Sequence, residues 1–283
     1  MKMKKAHEAN RLSWNAATRA HNSHKGDQAS FLRGGGTTLF PEELELLGPL
    51  EGRRLLHAMC NSGQDTLSLA QLGAEVTGVD ISDEAISAAR QISQAAGIPA
   101  NFERSDIYDW FQQSHRPYDL AFASYGAIYW LSDLKAFTSG IARHLRPGGG
   151  KLVIVEFHPT MWIFDDDWTL GHPYTSAGEA LTEDAGVGDY VRGAGEGLVP
   201  WGYEEGVADF QNPHACHNFP WGLGEIVTAV IEAGLTVTTL REYPYANGCS
   251  TLGGMTLDKD RRYWPPAHLP NLPIMFGLVA EKG

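Results

Sequence analysis

Two rhythms of apolar and polar positions alternate along this chain, and their order predicts its architecture. An apolar run at Leu55-Leu56 crosses a small-residue turn, Asn61-Ser62-Gly63, into a helical pattern. That pattern puts Leu67, Leu69, Ala70 and Leu72 mainly on one side and stops at Gly73. A β-prone run from Val76 to Val79 ends on Asp80, and Ser82 can cap a helix reaching about Gly97, with Asp83 and Glu84 in its first turn. Ala100 to Arg104 reads as a third strand leading into Ser105-Asp106-Ile107, and Tyr118 to Ser124 as a fourth. Asp133 to Leu145 forms the next helix, stopped at Pro147-Gly148-Gly149-Gly150. Lys151 to Phe157 is nearly all apolar, as a central parallel strand must be when both its faces are covered. Strands alternating with helices in this way predict an α/β fold, a doubly wound and mostly parallel sheet with helices on both faces.

The flanks keep a different rhythm. Residues 4–24 look helical, with Leu12, Trp14, Ala16, Ala17 and Ala20 as candidates for a buried side, and Gly34-Gly35-Gly36 breaks the chain behind them. A short helix starts near Pro41, where Glu42-Glu43 favour its positive end. Between His158 and Pro220 the pattern lapses into a stretch rich in glycine, acids and aromatics, including Trp162, Trp168, Tyr174, Tyr190, Trp201 and Tyr203. A connection of that length is functional or disordered, and its aromatic content argues for order. Helical periodicity resumes from Leu223 to Ala233, ends at Gly234, and leads into a β-prone run, Leu235 to Leu240. After a proline-marked loop, Pro273 to Glu281 makes a last strand. The expected organisation is an N-terminal segment (1–40), one domain built from 41–158 and 220–283, and an inserted cap (159–219).

Composition narrows the chemistry. With 283 residues, 43% hydrophobic and 20% charged, the chain suits a soluble domain with a sizeable core. No apolar run approaches the ~20 residues that span a bilayer. The MKMKK start has no apolar stretch behind it, so no secretion signal is expected. Cys60, Cys216 and Cys249 are too few and scattered for a disulfide framework, which suits the cytoplasm. A net charge of −12 disfavours nucleic acid and anionic membrane as partners, leaving a small molecule; a homodimer is admissible.

Strand, tight turn, helix, strand, acid is the layout of a nucleotide-binding βαβ unit. The turn's free N–H groups can meet an anionic group, and Asp80 can accept from two ribose hydroxyls. A dinucleotide fingerprint would need G-x-G-x-x-G, but only Gly63 is present; the phosphate-binding G-x-x-x-x-G-K-[ST] run is absent. The stretch RLLHAMCNSGQDTLSLAQLGAEVTGVDIS (54–82) instead resembles the first two motifs of class I S-adenosylmethionine-dependent methyltransferases. His57 stands where that family commonly has an acid, Met59 and Asn61 replace two glycines, and the turn is similar to a Cys-Asn-x-Gly-x-Asp-Thr subgroup. Asp106-Ile107, YDLAFASYGAIYWL (118–131), LRPGGGKLVIVEFHP (145–159) and LPIMFGLVAEKG (272–283) resemble further motifs in the family's order. The resemblance covers roughly 40–158 and 220–283.

It implies a seven-stranded sheet with an antiparallel seventh strand, an N-terminal helical lid, and S-adenosyl-L-methionine as cofactor. The cofactor residues it implies are Ala58, Cys60, Asn61, Ser62, Gly63, Asp80, Ile81, Asp106, Ile107, Ser124 and Tyr125. The expected reaction is methyl transfer to a nitrogen or oxygen of a small molecule. Alignment and water exclusion can supply most of the acceleration, and a base is needed only for a protonated acceptor. His158, just past the fifth strand, and Tyr125, just past the fourth, are the catalytic candidates; the plainer reading has His158 only shaping the turn before Pro159. Trp14, Trp162, Trp168 and Trp201 are expected to wall the acceptor pocket, although a cap that only packs on the sheet edge accounts for them too. His214-x-Cys216-His217 with His158 supplies one side of a zinc pattern, so no metal is expected. With no G-x-S-x-G elbow, acyl transfer is disfavoured. Two rivals remain: a nicotinamide-dependent oxidoreductase, and a protein that binds S-adenosylmethionine without methylating.

Overall fold

Burial on both faces is what the apolar strands require, and a computed structural model, describing residues 2–113 and 116–283, gives them that environment. The chain opens with α1 (Lys2–Ser23), α2 (Gln28–Arg33) and α3 (Pro41–Leu47). The alternating core follows as β1 (Arg54–Ala58), α4 (Gln64–Gln71), β2 (Glu75–Asp80), α5 (Asp83–Ala96), β3 (Asn101–Arg104), α6 (Ile107–Trp110), β4 (Leu120–Ser124), α7 (Leu134–His144) and β5 (Gly150–Phe157). The insertion carries β6 (Leu181–Glu183), α8 (Tyr190–Ala194) and β7 (Cys216–Asn218). Then come α9 (Leu223–Glu232), β8 (Leu235–Tyr243), the short β9 (Ala246–Asn247), β10 (Thr256–Leu257) and β11 (Arg262–Trp264), and finally β12 (Met275–Lys282).

The main sheet has seven strands in the order β3-β2-β1-β4-β5-β12-β8. The first five pair in parallel, and β12 runs antiparallel between β5 and β8. Alternate residues of one strand enter different cores. Leu56, Ala121, Leu152 and Ile154 join Phe137 and Ile141 of α7 and Ile226 and Val230 of α9. Leu55, Phe122, Val153 and Val155 join Leu46 and Leu47 of α3 and Leu69 of α4. Each fully buried Leu or Phe side chain contributes about 1.5–3 kcal/mol of transfer free energy. The helices start where the sequence predicts, because the Ser82 hydroxyl accepts from Ala85 N (3.1 Å) and the Asp133 carboxylate from Ala136 N (2.9 Å). Leu72 departs from the expected helix face: it caps α4 and is 43% exposed.

The small β9–β11 sheet and the β6–β7 pair escape the periodicity, since strands of two or three residues are too short to carry an alternation. Among the described residues no helix is long and apolar enough to cross a membrane.

Candidate functional site

The carboxyl ends of β1 to β5 open onto one cavity of about 1260 Å³. Its remaining walls come from α1, from the 25–40 segment, from the insertion, and from the 247–261 segment.

At the nucleotide end, Asp80 finishes β2 and accepts hydrogen bonds from Asn61 N and Ser82 N, both at 2.8 Å. Burial pushes its carboxyl up, against the pull of the N–H groups of Ser82, Asn61 and Ile81. Asp106 caps α6 by accepting from Tyr108 N (3.0 Å), and its other oxygen lies 2.7 Å from His7 Nδ1. His7 Nε2 meets the Ser132 hydroxyl at 2.8 Å, and its ring stacks on Tyr108. Burial raises the Asp106 carboxyl, but His7 and the Tyr108 N–H outweigh it and hold the group below the ordinary carboxylate range. Ile81 and Ile107 supply apolar surface between the two acids.

The turn after β1 is wound through left-handed conformations at Met59 (φ +60°), Asn61 (φ +50°) and Gly63 (φ +76°). Met59, Cys60 and Asn61 face the cavity, whereas Ala58, Ser62 and Gly63 lie behind the wall. A Cβ at Gly63 would stand 2.6 Å from the Phe102 ring and 2.8 Å from the Ala89 Cβ. Packing against α5 and β3 therefore requires that glycine. Asn61 also reaches the insertion, donating from Nδ2 to the Tyr190 hydroxyl (3.3 Å).

Beyond the turn the cavity turns polar. Asp65 accepts from the Thr38 hydroxyl at 2.5 Å. His57 is buried with Nδ1 2.8 Å from the Thr66 hydroxyl, and burial lowers it to about 4, so it stays neutral near pH 7. Lys25 is half-buried and forms no ion pair among the described residues. Burial brings its ammonium down to about 8, with Asp65 and Asp189 pulling the other way. Arg261, at φ +62°, donates to Thr38 O (3.1 Å) and lies over the Phe40 ring at 4.3 Å.

The opposite end is aromatic. The loop after β4 brings Ser124, Tyr125, Tyr129 and Trp130 to the wall, where Tyr129 stacks on Trp162 at 4.7 Å and 28°. Trp130 meets Trp14 of α1 edge-on at 5.3 Å. The Tyr125 hydroxyl accepts from Asn247 Nδ2 (3.1 Å), and burial, reinforced by the Glu43 charge, pushes its phenol well above 10. Trp14, Trp162 and Trp201 line the cavity; Trp168 does not, its indole N–H donating to Gly253 O (2.7 Å) outside it.

His158 is not brought to the cavity. Its Nδ1 accepts from Thr160 N (3.1 Å) and caps the turn at Pro159, while Nε2 lies 3.0 Å from Glu242 on β8. It shapes the strand-end turn, the plainer of its two readings, and burial lowers its pKa against the pull of Glu242. The His214–His217 stretch likewise fastens the insertion to α1. Asn10 of α1 bonds both the N–H and the carbonyl of His217 (2.6 and 2.7 Å), and His217 Nδ1 meets the Thr182 hydroxyl at 3.0 Å. Among the described residues no group of three His, Cys, Asp or Glu side chains is arranged to hold a metal ion. His7, Lys25 and Arg261 lie far from every motif in the chain, and only their types, basic residues in an acidic protein, hinted at a role.

Residues 55–149 match a methyltransferase domain family. The chain is 31% identical over 116 residues to the ubiquinone biosynthesis O-methyltransferase of Xylella fastidiosa, a match covering 41% of this chain and 46% of that protein. It is 37% identical over 112 residues to the S-adenosyl-L-methionine-dependent Diels-Alderase iccD of Talaromyces variabilis, covering 38% of each. The chain thus spans under half the length of these curated relatives. The structure of an S-adenosylmethionine dependent methyltransferase from Mesorhizobium loti has the same fold, with a TM-score of 0.54 at 18% identity over 88% of this chain and 99% of that one.

Proposed function

From a chain that carries a class I methyltransferase domain, in sequence and in sheet order, we propose methyl transfer from S-adenosylmethionine to an oxygen or nitrogen of a small molecule. One observation carries the reading: Asp80, Asp106 and the Tyr125–Trp130 loop, from the ends of three strands, converge on a single cavity under an aromatic roof. In open α/β sheets ligands bind at such strand ends. At about 1260 Å³ the cavity exceeds the ~300–1,000 Å³ usual for one small ligand, so donor and acceptor have room together.

The residues suit the cofactor group by group. Asp80 would accept from the ribose hydroxyls. Asp106, held ionised by His7, would accept from the adenine amino group, with Ile81 and Ile107 against the ring. Lys25, a cation with no ion pair among the described residues, fits the methionine carboxylate together with Arg261, and Asp65 fits the ammonium. When bound, S-adenosylmethionine supplies a sulfonium methyl with a good leaving group. The chain's own contribution is alignment and the exclusion of water, worth up to ~7–11 kcal/mol when the reacting groups are well oriented. Tyr125 and His57, both held neutral, can hold a hydrogen bond to the acceptor but are poor proton acceptors at pH 7. Similarity to an O-methyltransferase favours oxygen. The net charge of −12 and the scattered cysteines favour a small acceptor met in the cytoplasm.

A second reading, cofactor binding without methyl transfer, is favoured by the similarity to a Diels-Alderase. The test is S-adenosylhomocysteine release with a panel of catechols, phenols and primary amines, alongside calorimetry with S-adenosylmethionine. Acceptor-dependent release is expected. Tight binding with no release from any acceptor would favour the second reading, and absence of binding would overturn both.

A further inference from the structure

Glu156 lies at the end of β5, 3% exposed and outside the cavity, yet its carboxylate is occupied by the loop that walls it. Ile128 N donates to one oxygen at 3.0 Å, while Phe157 N (2.7 Å) and Gly126 N donate to the other. That loop turns back sharply, with Tyr125 at φ +43° and Gly126 at φ +94°. A tyrosine persists in the left-handed region only where its surroundings over-determine it. Tyr125, Tyr129 and Trp130, all on this loop, face the cavity, and Tyr129 meets Trp162 of the insertion as a stacked pair.

We propose that Glu156 is the positioning residue of the acceptor wall: its carboxylate fixes the Tyr125–Trp130 loop so that Tyr129 and Trp162 form one aromatic surface. That the surface receives an acceptor rests on the methyl-transfer reading above. Two oxygens without hydrogens suit three converging N–H donors, whereas an amide would turn its own NH₂ toward one of them. Burial pushes the carboxyl up to about 7 even with those donors in place, so the comparison is made at pH 8.5, where the group is the carboxylate that three N–H donors suit.

The test compares wild type and Glu156→Gln, each loaded with S-adenosylhomocysteine. The readouts are amide hydrogen exchange, near-ultraviolet circular dichroism and calorimetric affinity for S-adenosylhomocysteine; Trp162→Leu assigns the dichroism of the aromatic pair. Exchange over 126–130 should rise about tenfold, as expected for one lost charged hydrogen bond, while β1 and β2 stay unchanged. The aromatic band should fall toward that of Trp162→Leu, and S-adenosylhomocysteine affinity should stay within about threefold. Unchanged exchange and dichroism, or exchange rising equally across the sheet, would overturn the proposal. Should Glu156→Gln not fold, Glu156→Asp takes its place: loosening confined to 126–130 supports the proposal and uniform loosening overturns it. Failure of every methyl acceptor would sink the reading above but leave these readouts as stated.

Discussion

Asp80 and Lys25 make different demands on the nucleotide end of the cavity, and each yields a measurement. Asp80 already accepts two backbone N–H groups and keeps lone pairs to spare, although burial pushes its carboxyl up. Asp80→Ala should weaken S-adenosylmethionine by on the order of 1.5–3 kcal/mol per lost charged hydrogen bond, read by calorimetry; unchanged affinity would remove Asp80 from the ribose. Lys25, brought down to about 8, is charged at pH 7 and neutral at pH 9. Affinity for S-adenosylmethionine should therefore fall across that interval in wild type and stay flatter in Lys25→Met. Burial lowers His57 and His21 too, both to about 4, so unlike Lys25 they are neutral at pH 7. Their neutral forms contribute stability that is full above pH 6.5 and is lost as pH falls toward 4. Thermal melts at pH 7.5 and 5 should show wild type losing more than His57→Gln, by roughly 1–3 kcal/mol at most.

Among the elements, α1 shows how little a count of ion pairs says. Lys4–Asp109 and Arg19–Glu84 are largely exposed and contribute little, because solvent screens them. His7–Asp106 is only 12% and 14% exposed and sits on the cavity. Lys4→Ala and Arg19→Ala should leave cofactor affinity within about twofold, whereas His7→Leu should weaken it several-fold by releasing Asp106 and α1 from each other. Equal effects from all three would mean that α1 closes by general packing. The elements legible in the sequence were those with a repeated physical signal: strands dense enough in apolar residues to be buried twice, and helices opened by Ser82 and Asp133. The short strands β6, β7 and β9–β11 carry no such signal, because their pairing is set by what they cover. Gly63 illustrates the limit within a motif that was read. Its place in the turn was clear, but the reason for it, contact with Phe102 and Ala89, belongs to the packed protein.

For the whole molecule, one cavity gathers residues that lie more than two hundred positions apart in the chain, from His7 to Arg261. Its strand-end half was legible, since each carboxylate follows a recognisable strand. Its outer half was not, since Lys25, Thr38 and Arg261 come from irregular chain whose course depends on the assembled sheet. The N-terminal segment and the insertion are also stitched to each other, by Asn10 to His217 and by the buried His24–Asp189 contact at 2.8 Å.

The position of β12 has a consequence for synthesis on the ribosome. It is translated after both of its neighbours, and among the described residues β8 pairs in the main sheet with β12 alone. Until residues 275–282 emerge, β5 keeps an open edge and β8 cannot dock, so the sheet closes in one late insertion. A nascent chain held there exposes an apolar strand edge, a template for aggregation. Stalled chains in which a flexible linker of about 40 residues, enough to fill the exit tunnel, follows residue 270 should be cut by protease within β8, and chains with the same linker after residue 283 should resist; protection of β8 in the shorter chain would show that it docks without β12.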